Sequence, residues 1–193
     1  PLEQVDLSAL PQDAREAVRS ALSDNSELVR HAAVSSISVW RDAAAEQTLL
    51  KFLTDPSAQI RRASAEALGR IGDKSSVPAL LNACAQPQDR FVEHSLTFAL
   101  IEIGSPVETA RALESGNPNI KRIAMIALDQ MENGGLKAES VAPSLTSQDL
   151  VLRKTAVWVA EHHSDWGDAL AGYFEQRLDL KTSSNNDRKE LKT

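Results

Sequence analysis

Hydrophobic and polar positions along the chain follow one helical pattern that is repeated five times. Its copies cover residues 28–33, 59–64, 91–96, 119–124 and 151–156. The aligned apolar residues are Val29, Ile60, Val92, Ile120 and Leu152, which are 31, 32, 28 and 32 positions apart. A nearly constant period in this range is typical of stacked supersecondary units. The pattern therefore predicts a repeat protein.

The second copy shows the predicted helical hairpin most clearly. Asp55 and Pro56 predict an N-cap followed by proline at the first helical position. At 100° per residue, one face of this helix then carries Ile60, Ser64, Ala67, Leu68 and Ile71. Gly72 is expected to end the helix. A second helix follows, and its apolar stripe is Val77, Leu80, Leu81 and Cys84.

The other copies follow the same plan. Gly104 ends the third copy's first helix, Ser105 and Glu108 have the spacing of a capping box, and Asn117 with Pro118 opens the fourth copy. Shorter partner helices are predicted over residues 12–22, 43–53, 77–85, 106–114, 136–145 and 167–178. Together these elements predict an all-α fold, a right-handed α-α superhelix (α-solenoid) of about five helical hairpins.

We expect one repeat array over residues 1–180 and a flexible tail or linker over residues 181–193. The predicted units are 12–22 (partial), 24–53, 55–85, 88–114, 117–145 and 149–178. Pro1 in place of methionine, and the lack of an obvious capping repeat with a polar outer face, indicate a piece of a longer protein.

Composition narrows the classes of partner. About 42% of the residues are apolar, which excludes a disordered chain, and the net charge is −6. An acidic chain is not expected to bind nucleic acid or an anionic membrane by general attraction. No apolar stretch is long enough to span a bilayer. The single cysteine, Cys84, lies in an apolar helical run and is predicted to be a small core residue.

Residues 55–73, followed by Val77–Leu81, closely resemble the short HEAT repeat of phycobilisome-lyase-like proteins and artificial HEAT arrays. A narrower resemblance covers residues 90–103, 127–131 and 158–167. The sequence of these three segments is similar to the HEAT region of planctomycete PVC-type haem-binding CxxCH proteins, also called membrane-bound dehydrogenase-like proteins. Those exported proteins combine a β-propeller, a HEAT segment and a c-type cytochrome module. The resemblance implies a connecting solenoid in a periplasmic or exported protein, with the haem and propeller domains elsewhere, since Cys-x-x-Cys-His is absent here.

One edge of the first helix in each hairpin is a candidate partner-binding surface. In the second copy this edge is Arg62, Glu66 and Arg70, and resemblance to artificial HEAT arrays implies that it lines a concave face. Two columns across the copies carry the prediction. The first is basic or potentially basic and contains His31, Arg62, His94, Arg122 and Lys154; the second becomes apolar and its candidate residues are Phe98, Ile126 and Trp158. Alternatively, the large residues pack against a following repeat or domain, or the face is wrongly assigned.

We predict no catalytic, cofactor-binding or metal-binding residues. Adjacent helical residues such as His162 and His163 point about 100° apart, so they are poorly placed to share a metal ion. The sequence has no His-Glu dipeptide of the kind that deoxyhypusine hydroxylase uses for iron. The leading interpretation is therefore a monomeric, non-enzymatic module for protein interaction or spacing. The alternative is an enzyme-like HEAT solenoid, such as a phycobilin lyase or a DNA-repair relative.

Overall fold

Helices form the regular structure of the computed structural model, which describes residues 11–175. In chain order they are α1 (Gln12–Ala21), α2 (Glu27–Trp40), α3 (Glu46–Phe52), α4 (Ala58–Ile71), α5 (Val77–Ala83), α6 (Arg90–Ile103), α7 (Pro106–Arg111), α8 (Pro118–Gln130), α9 (Ala138–Val141) and α10 (Leu150–His162). Short 3-10 turns cover Ala43–Ala45, Ala112–Glu114, Ala142–Thr146 and Ser164–Trp166, and residues 167–175 are again helical. No strand occurs in this part of the chain, which confirms the all-α fold class.

The chain divides into two compact units with the boundary between Gly135 and Leu136. The first unit contains α1 to α8, and the second contains α9, α10 and the last helical residues. The boundary falls inside the predicted fourth hairpin, between α8 and α9. The predicted single array over residues 1–180 stays a prediction, and the predicted tail (181–193) lies outside the described residues.

Long helices stack in succession through the first unit. Helix α2 packs against α4, α4 against α6, and α6 against α8, while α3 and α5 lie against the long helices that follow them. The shared surfaces are rich in small side chains that are fully buried. Among them are Ala65, Ala67, Ala99, Ala124 and Ala127. Each long helix therefore buries one side in its own hairpin and another against its neighbour, as expected for a repeat array.

Gly69 marks the closest approach of α4 and α6. A Cβ atom on this glycine would lie 3.0 Å from the Cα atom of Ala99 and 3.4 Å from its Cβ atom. The Glu102 carboxylate of α6 lies closer still, so a larger residue here would displace that side chain and press on the backbone of α6. Gly69 is itself buried, and so are the preceding residues Ala67 and Leu68.

One predicted helix start and one predicted cap need correction. Asp55 is not the N-cap of α4: its Oδ1 accepts from the backbone N–H of Ser57 at 2.8 Å, and Ser57 caps the helix by accepting from Ile60 N–H at 3.4 Å. The Asp-Pro pair thus forms the turn before the helix rather than its first residue. At α7, the Ser105 hydroxyl donates to the Glu108 carboxylate and makes no cap to the backbone. The predicted capping-box spacing therefore produces a side-chain pair.

The other helix boundaries follow the predictions. Asn117 caps α8 by accepting from the N–H groups of Asn119 and Ile120, with Pro118 at the first helical position. Gly104 ends α6 in the left-handed conformation at φ +61°. Glycine adopts this conformation at low steric cost, which explains its place at a helix C-terminus.

Three arginines at the same position of the repeat hold the turn that precedes their own helix. Arg61 donates to the carbonyl oxygens of Asp55 at 2.8 Å and Pro56 at 3.0 Å. Arg30 and Arg153 make the matching bonds to carbonyls five or six residues earlier. Buried or half-buried carbonyls in a turn need a donor, and this arginine supplies it. Sequence reasoning did not assign this role.

Val29 was wrongly placed among the inward-facing residues. It is 39% exposed, whereas its counterparts Ile60 and Val92 are fully buried. The helix that precedes α2 is α1, which has no buried residue of its own, so it gives Val29 thinner cover than α3 and α5 give the later copies.

Replacing Gly69 by alanine should lower the free energy of unfolding by about 1–3 kcal/mol, because the added methyl group forces α4 and α6 apart. Urea denaturation measures this change. Gly116→Ala is the matched control, since a Cβ atom there meets nothing within 4 Å. Equal stability of both variants would show that the helices are not in tight contact at Gly69.

Candidate functional site

Neighbouring long helices of the first unit enclose two grooves along their exposed edges. The smaller one, which we call the α2–α4 groove, has a volume of about 190 Å³. Its lining residues are His31, Ser35, Ser38, Val39, Arg62, Ala63, Glu66 and Arg70. The predicted edge of α4, Arg62, Glu66 and Arg70, lies in this groove together with His31 of the basic column.

Polar groups in the α2–α4 groove are largely bonded to one another. Arg62 Nε lies 3.4 Å from Glu66 Oε1, and that oxygen also accepts from Ser95 Oγ of α6 at 3.1 Å. Arg70 donates to Ser38 Oγ at 3.0 Å and so connects α4 to α2. These contacts hold the stack together and leave few unsatisfied groups for a ligand.

The larger groove lies between α6 and α8, and we call it the α6–α8 groove. Its volume is about 460 Å³. The lining residues are Arg90, Phe91, Glu93, His94, Thr97, Phe98, Ile101, Ile126 and Gln130. Four of the nine carry large apolar side chains. Phe91 is 64% exposed and Phe98 47% exposed, whereas Ile101 and Ile126 are half-buried below them.

Aromatic side chains on α6 form the exposed wall of the α6–α8 groove. The rings of His94 and Phe98 lie nearly parallel, with centroids 6.4 Å apart and planes inclined by 19°. The guanidinium of Arg90 is 5.8 Å from the centre of the Phe91 ring, within range of a cation–π interaction. Large exposed aromatic side chains beside a groove are typical of an interaction surface.

An ion pair joins α6 to α8 at one side of the groove. Glu93 accepts from both terminal nitrogens of Arg122 in a bidentate arrangement, with one bond of 2.9 Å. The side chains are 33% and 12% exposed, respectively. Glu93 occupies the position that Arg30, Arg61 and Arg153 hold in other copies, so the repeat exchanges a turn-binding arginine for an inter-helix pair. Arg122 belongs to the predicted basic column, but its charge is neutralised within the protein.

One position of the repeat accounts for the size of each groove. Counting nine residues from the aligned apolar residue gives Ser38 in α2, Gly69 in α4 and Ile101 in α6. Gly69 lets the next helix come into backbone contact, whereas the α2–α4 groove contains Ser38 and the larger α6–α8 groove contains Ile101. A bulky side chain here separates the helices and widens the groove, because interiors pack at fixed density.

The second unit contains the remaining candidate residues. Lys154 and Trp158 are exposed on α10, the tryptophan by 40%. The His162 ring meets the Trp158 ring edge-on with centroids 4.3 Å apart, and His162 Nδ1 lies 2.6 Å from the Trp158 carbonyl oxygen. Trp158 thus has its predicted exposure, and its role in binding stays a prediction.

The side chains of His163 and Cys84 make contacts within the fold. His163 stacks on buried Trp166 with centroids 3.9 Å apart, at the end of α10 rather than inside a core. Cys84 is buried as predicted, and its Sγ lies 3.3 Å from the Leu80 carbonyl oxygen.

Across residues 11–175, no three His, Cys, Asp or Glu side chains are grouped as metal ligands. None of the helices described has the length and apolarity that crossing a bilayer requires.

The structure brings together three of the eight candidate residues, namely His94, Phe98 and Ile126, in the α6–α8 groove. His31 and Arg62 share the other groove. Sequence reasoning missed Arg90 and Phe91 as lining residues. The available signal was Glu93, since a carboxylate at the position that Arg30, Arg61 and Arg153 hold in other copies indicates that the contact between α6 and α8 differs from the others.

Comparisons with known proteins agree with this fold. A family model described as HEAT repeats matches residues 15–101, just under half of the chain. The phycocyanin lyase CpcE–CpcF complex from Nostoc sp. PCC7120 is similar at 19% identity and a TM-score of 0.52, over 86% of this chain and 70% of that one. An archaeal HEAT-like repeats protein from Thermococcus onnurineus NA1 is similar at 11% identity and a TM-score of 0.52, over 80% and 71%.

No curated protein matches the sequence. The fold is accordingly all-α, and its helical hairpins are similar to those of HEAT-repeat proteins. The comparisons give no support to the planctomycete haem-binding resemblance.

The Glu93–Arg122 pair should contribute measurably to stability. Removing either partner leaves a half-buried charge without its counter-charge. We expect a coupling free energy of about 1–2 kcal/mol from a double-mutant cycle of Glu93→Gln and Arg122→Gln, measured by urea denaturation. The exposed pair Arg62 and Glu66 is the control, with an expected coupling below about 0.5 kcal/mol. Additive effects at Glu93 and Arg122 would contradict the structural role.

The Cys84 thiol should make stability fall at high pH. Burial raises its pKa to about 12, Glu93 adds to the rise, and Arg122 partly offsets it. Above pH 9 the unfolded thiol ionises while the folded one keeps its proton, so stability present below pH 9 is lost as the pH rises toward 12. Between pH 8 and pH 10, the free energy of unfolding should fall by about 1 kcal/mol more in the natural protein than in Cys84→Ala. Identical pH profiles would contradict burial of the thiol.

Proposed function

We propose that this chain is a non-enzymatic protein-binding module and that the α6–α8 groove is its main binding site. The observation that carries the proposal is the exposure of Phe91 and Phe98 beside a groove of about 460 Å³ with an apolar floor. A folded soluble protein gains stability by burying such rings, so their exposure at one groove favours a partner that covers them.

Comparison of the two grooves supports this choice. In the α2–α4 groove, Arg62 pairs with Glu66 along α4, Glu66 also accepts from Ser95 of α6, and Arg70 donates to Ser38 of α2. The α6–α8 groove offers more apolar surface, and its ion pair lies to one side. Extended surfaces of helical repeats commonly bind other proteins, and one similar structure is a complex of two lyase subunits.

The wider context of the module stays a prediction. The chain would be a segment of an exported multidomain redox protein that has propeller and haem domains elsewhere. This inference rests only on the sequence resemblance of residues 90–103, 127–131 and 158–167. A phycobilin lyase activity is the competing function. Likeness to a phycocyanin lyase at 19% identity concerns the fold, so the experiment below includes that activity as an outcome.

Peptides selected from a random phage-displayed library on the whole chain should bind through the α6–α8 groove. Phe98→Ala should raise their Kd about tenfold or more, because truncating a central aromatic side chain at an interface commonly costs more than 1 kcal/mol. Isothermal titration calorimetry with the synthetic peptides measures this change.

Val107→Ala is the control, since Val107 is 63% exposed on α7 and lines neither groove. Its Kd should equal that of the natural protein. The proposal fails if no library peptide binds, if both variants bind alike, or if added phycocyanobilin becomes covalently attached to the chain or is transferred to a phycocyanin subunit.

A further inference from the structure

We propose that the α6–α8 groove selects an acidic peptide segment that inserts one large apolar side chain between α6 and α8. This inference rests on the proposed function and specifies the chemistry of the partner. The apolar anchor would lie on Ile101 and Ile126, and the flanking carboxylates of the peptide would face Arg90.

Shape and polarity of the groove argue for a single large apolar anchor. Ile101 and Ile126 face each other from α6 and α8, and Phe98 rises at the edge. The one buried hydroxyl in the lining, Thr97 Oγ1, already donates to the Glu93 carbonyl oxygen at 2.8 Å. An apolar side chain can therefore enter without leaving a buried polar group unpaired.

Charge in the lining argues for an acidic partner. Glu93 is the only carboxylate among the lining residues, and Arg122 neutralises it through two hydrogen bonds. Arg90 is exposed, and within residues 11–175 no carboxylate lies at ion-pair distance from its guanidinium. The groove thus carries a net positive charge on a chain of net charge −6. A local cation on an acidic protein orients an acidic ligand toward the groove and away from the remaining surface.

A peptide is favoured over nucleic acid by the number of cations. Binding of a single strand requires a groove with several phosphate-binding side chains as well as aromatic rings. Here one uncompensated arginine lines the groove, and the whole chain repels phosphate. Oligonucleotide binding is therefore an outcome that the test must be able to detect.

Fluorescence anisotropy of the whole chain with three labelled peptides of equal length tests the inference. The first places Leu-Phe between Asp and Glu residues, the second replaces the acids by Lys and Arg, and the third keeps the acids but replaces Leu-Phe by Gly-Ser. Labelled oligothymidylate is the fourth probe. We expect the Kd of the first peptide to be at least about tenfold lower than that of every other probe.

Two exposed substitutions separate the apolar and charged contributions. Phe98→Ala should weaken the first peptide about tenfold, and Arg90→Gln about threefold, with a smaller dependence on salt after Arg90→Gln. Arg111→Gln is the control for charge, because its side chain is 74% exposed on α7 outside the groove. It should leave the Kd unchanged. Circular dichroism confirms that each variant is folded.

The inference is overturned if the basic peptide or the oligonucleotide binds as tightly as the acidic one, or if Arg90→Gln and Arg111→Gln have equal effects. If library peptides bind through Phe98 but show no enrichment in Asp and Glu, the partner's acidic character is wrong while the proposed function stands. If no library peptide binds at all, the proposed function itself is wrong.

Discussion

Backbone contact between successive long helices is the constraint on which the first unit depends. Gly69 of α4 lies against Ala99 of α6 so closely that a methyl group would not fit without a shift. Short alanine-rich helices have little apolar area to bury, so they must approach closely to gain enough stabilisation. Where the chain has glycine at this position, the two helices come into close contact. Where it places Ile101, the helices separate and apolar surface becomes accessible.

The charges between α6 and α8 depend on a second residue that departs from the repeat, Glu93 in place of arginine. In three copies an arginine binds the carbonyl groups of its own preceding turn. At the third copy this residue is Glu93, which binds Arg122 of the next helix. The bidentate pair adds a polar connection to the packing of α6 against α8. It also removes the only carboxylate charge from the groove lining, which leaves the field of Arg90 uncompensated.

Periodicity was enough to predict the helices, their register and most helix ends, because the spacing of apolar residues specifies which side of each helix is buried. One helix start and one helix cap were wrong for a local reason. Asp55–Pro56 and Ser105–Glu108 have more than one way to satisfy their hydrogen bonds, and spacing does not choose between them. Only part of the lining of the α6–α8 groove could be predicted. The positions of Phe98 and His94 follow from the helical register, whereas the presence of Arg90 and Phe91 in the lining depends on the distance between α6 and α8. That distance is a tertiary property, set by Ile101 and the Glu93–Arg122 pair together.

A repeat protein gives a direct way to separate residues that stabilise the fold from residues that serve a partner. Positions that obey the repeat in every copy maintain the stack, since each copy faces the same packing problem. A position that departs from the repeat in one copy needs an explanation other than packing of the stack. The contact between α6 and α8 departs from the pattern twice, through the shorter 28-residue spacing and the carboxylate at Glu93, and it has the bulky Ile101 where α2 and α4 have Ser38 and Gly69. It also has the exposed rings of Phe91 and Phe98. Because local departures from otherwise consistent sequence rules concentrate at functional sites, these coinciding exceptions favour this junction over the regular ones as the place where a partner binds.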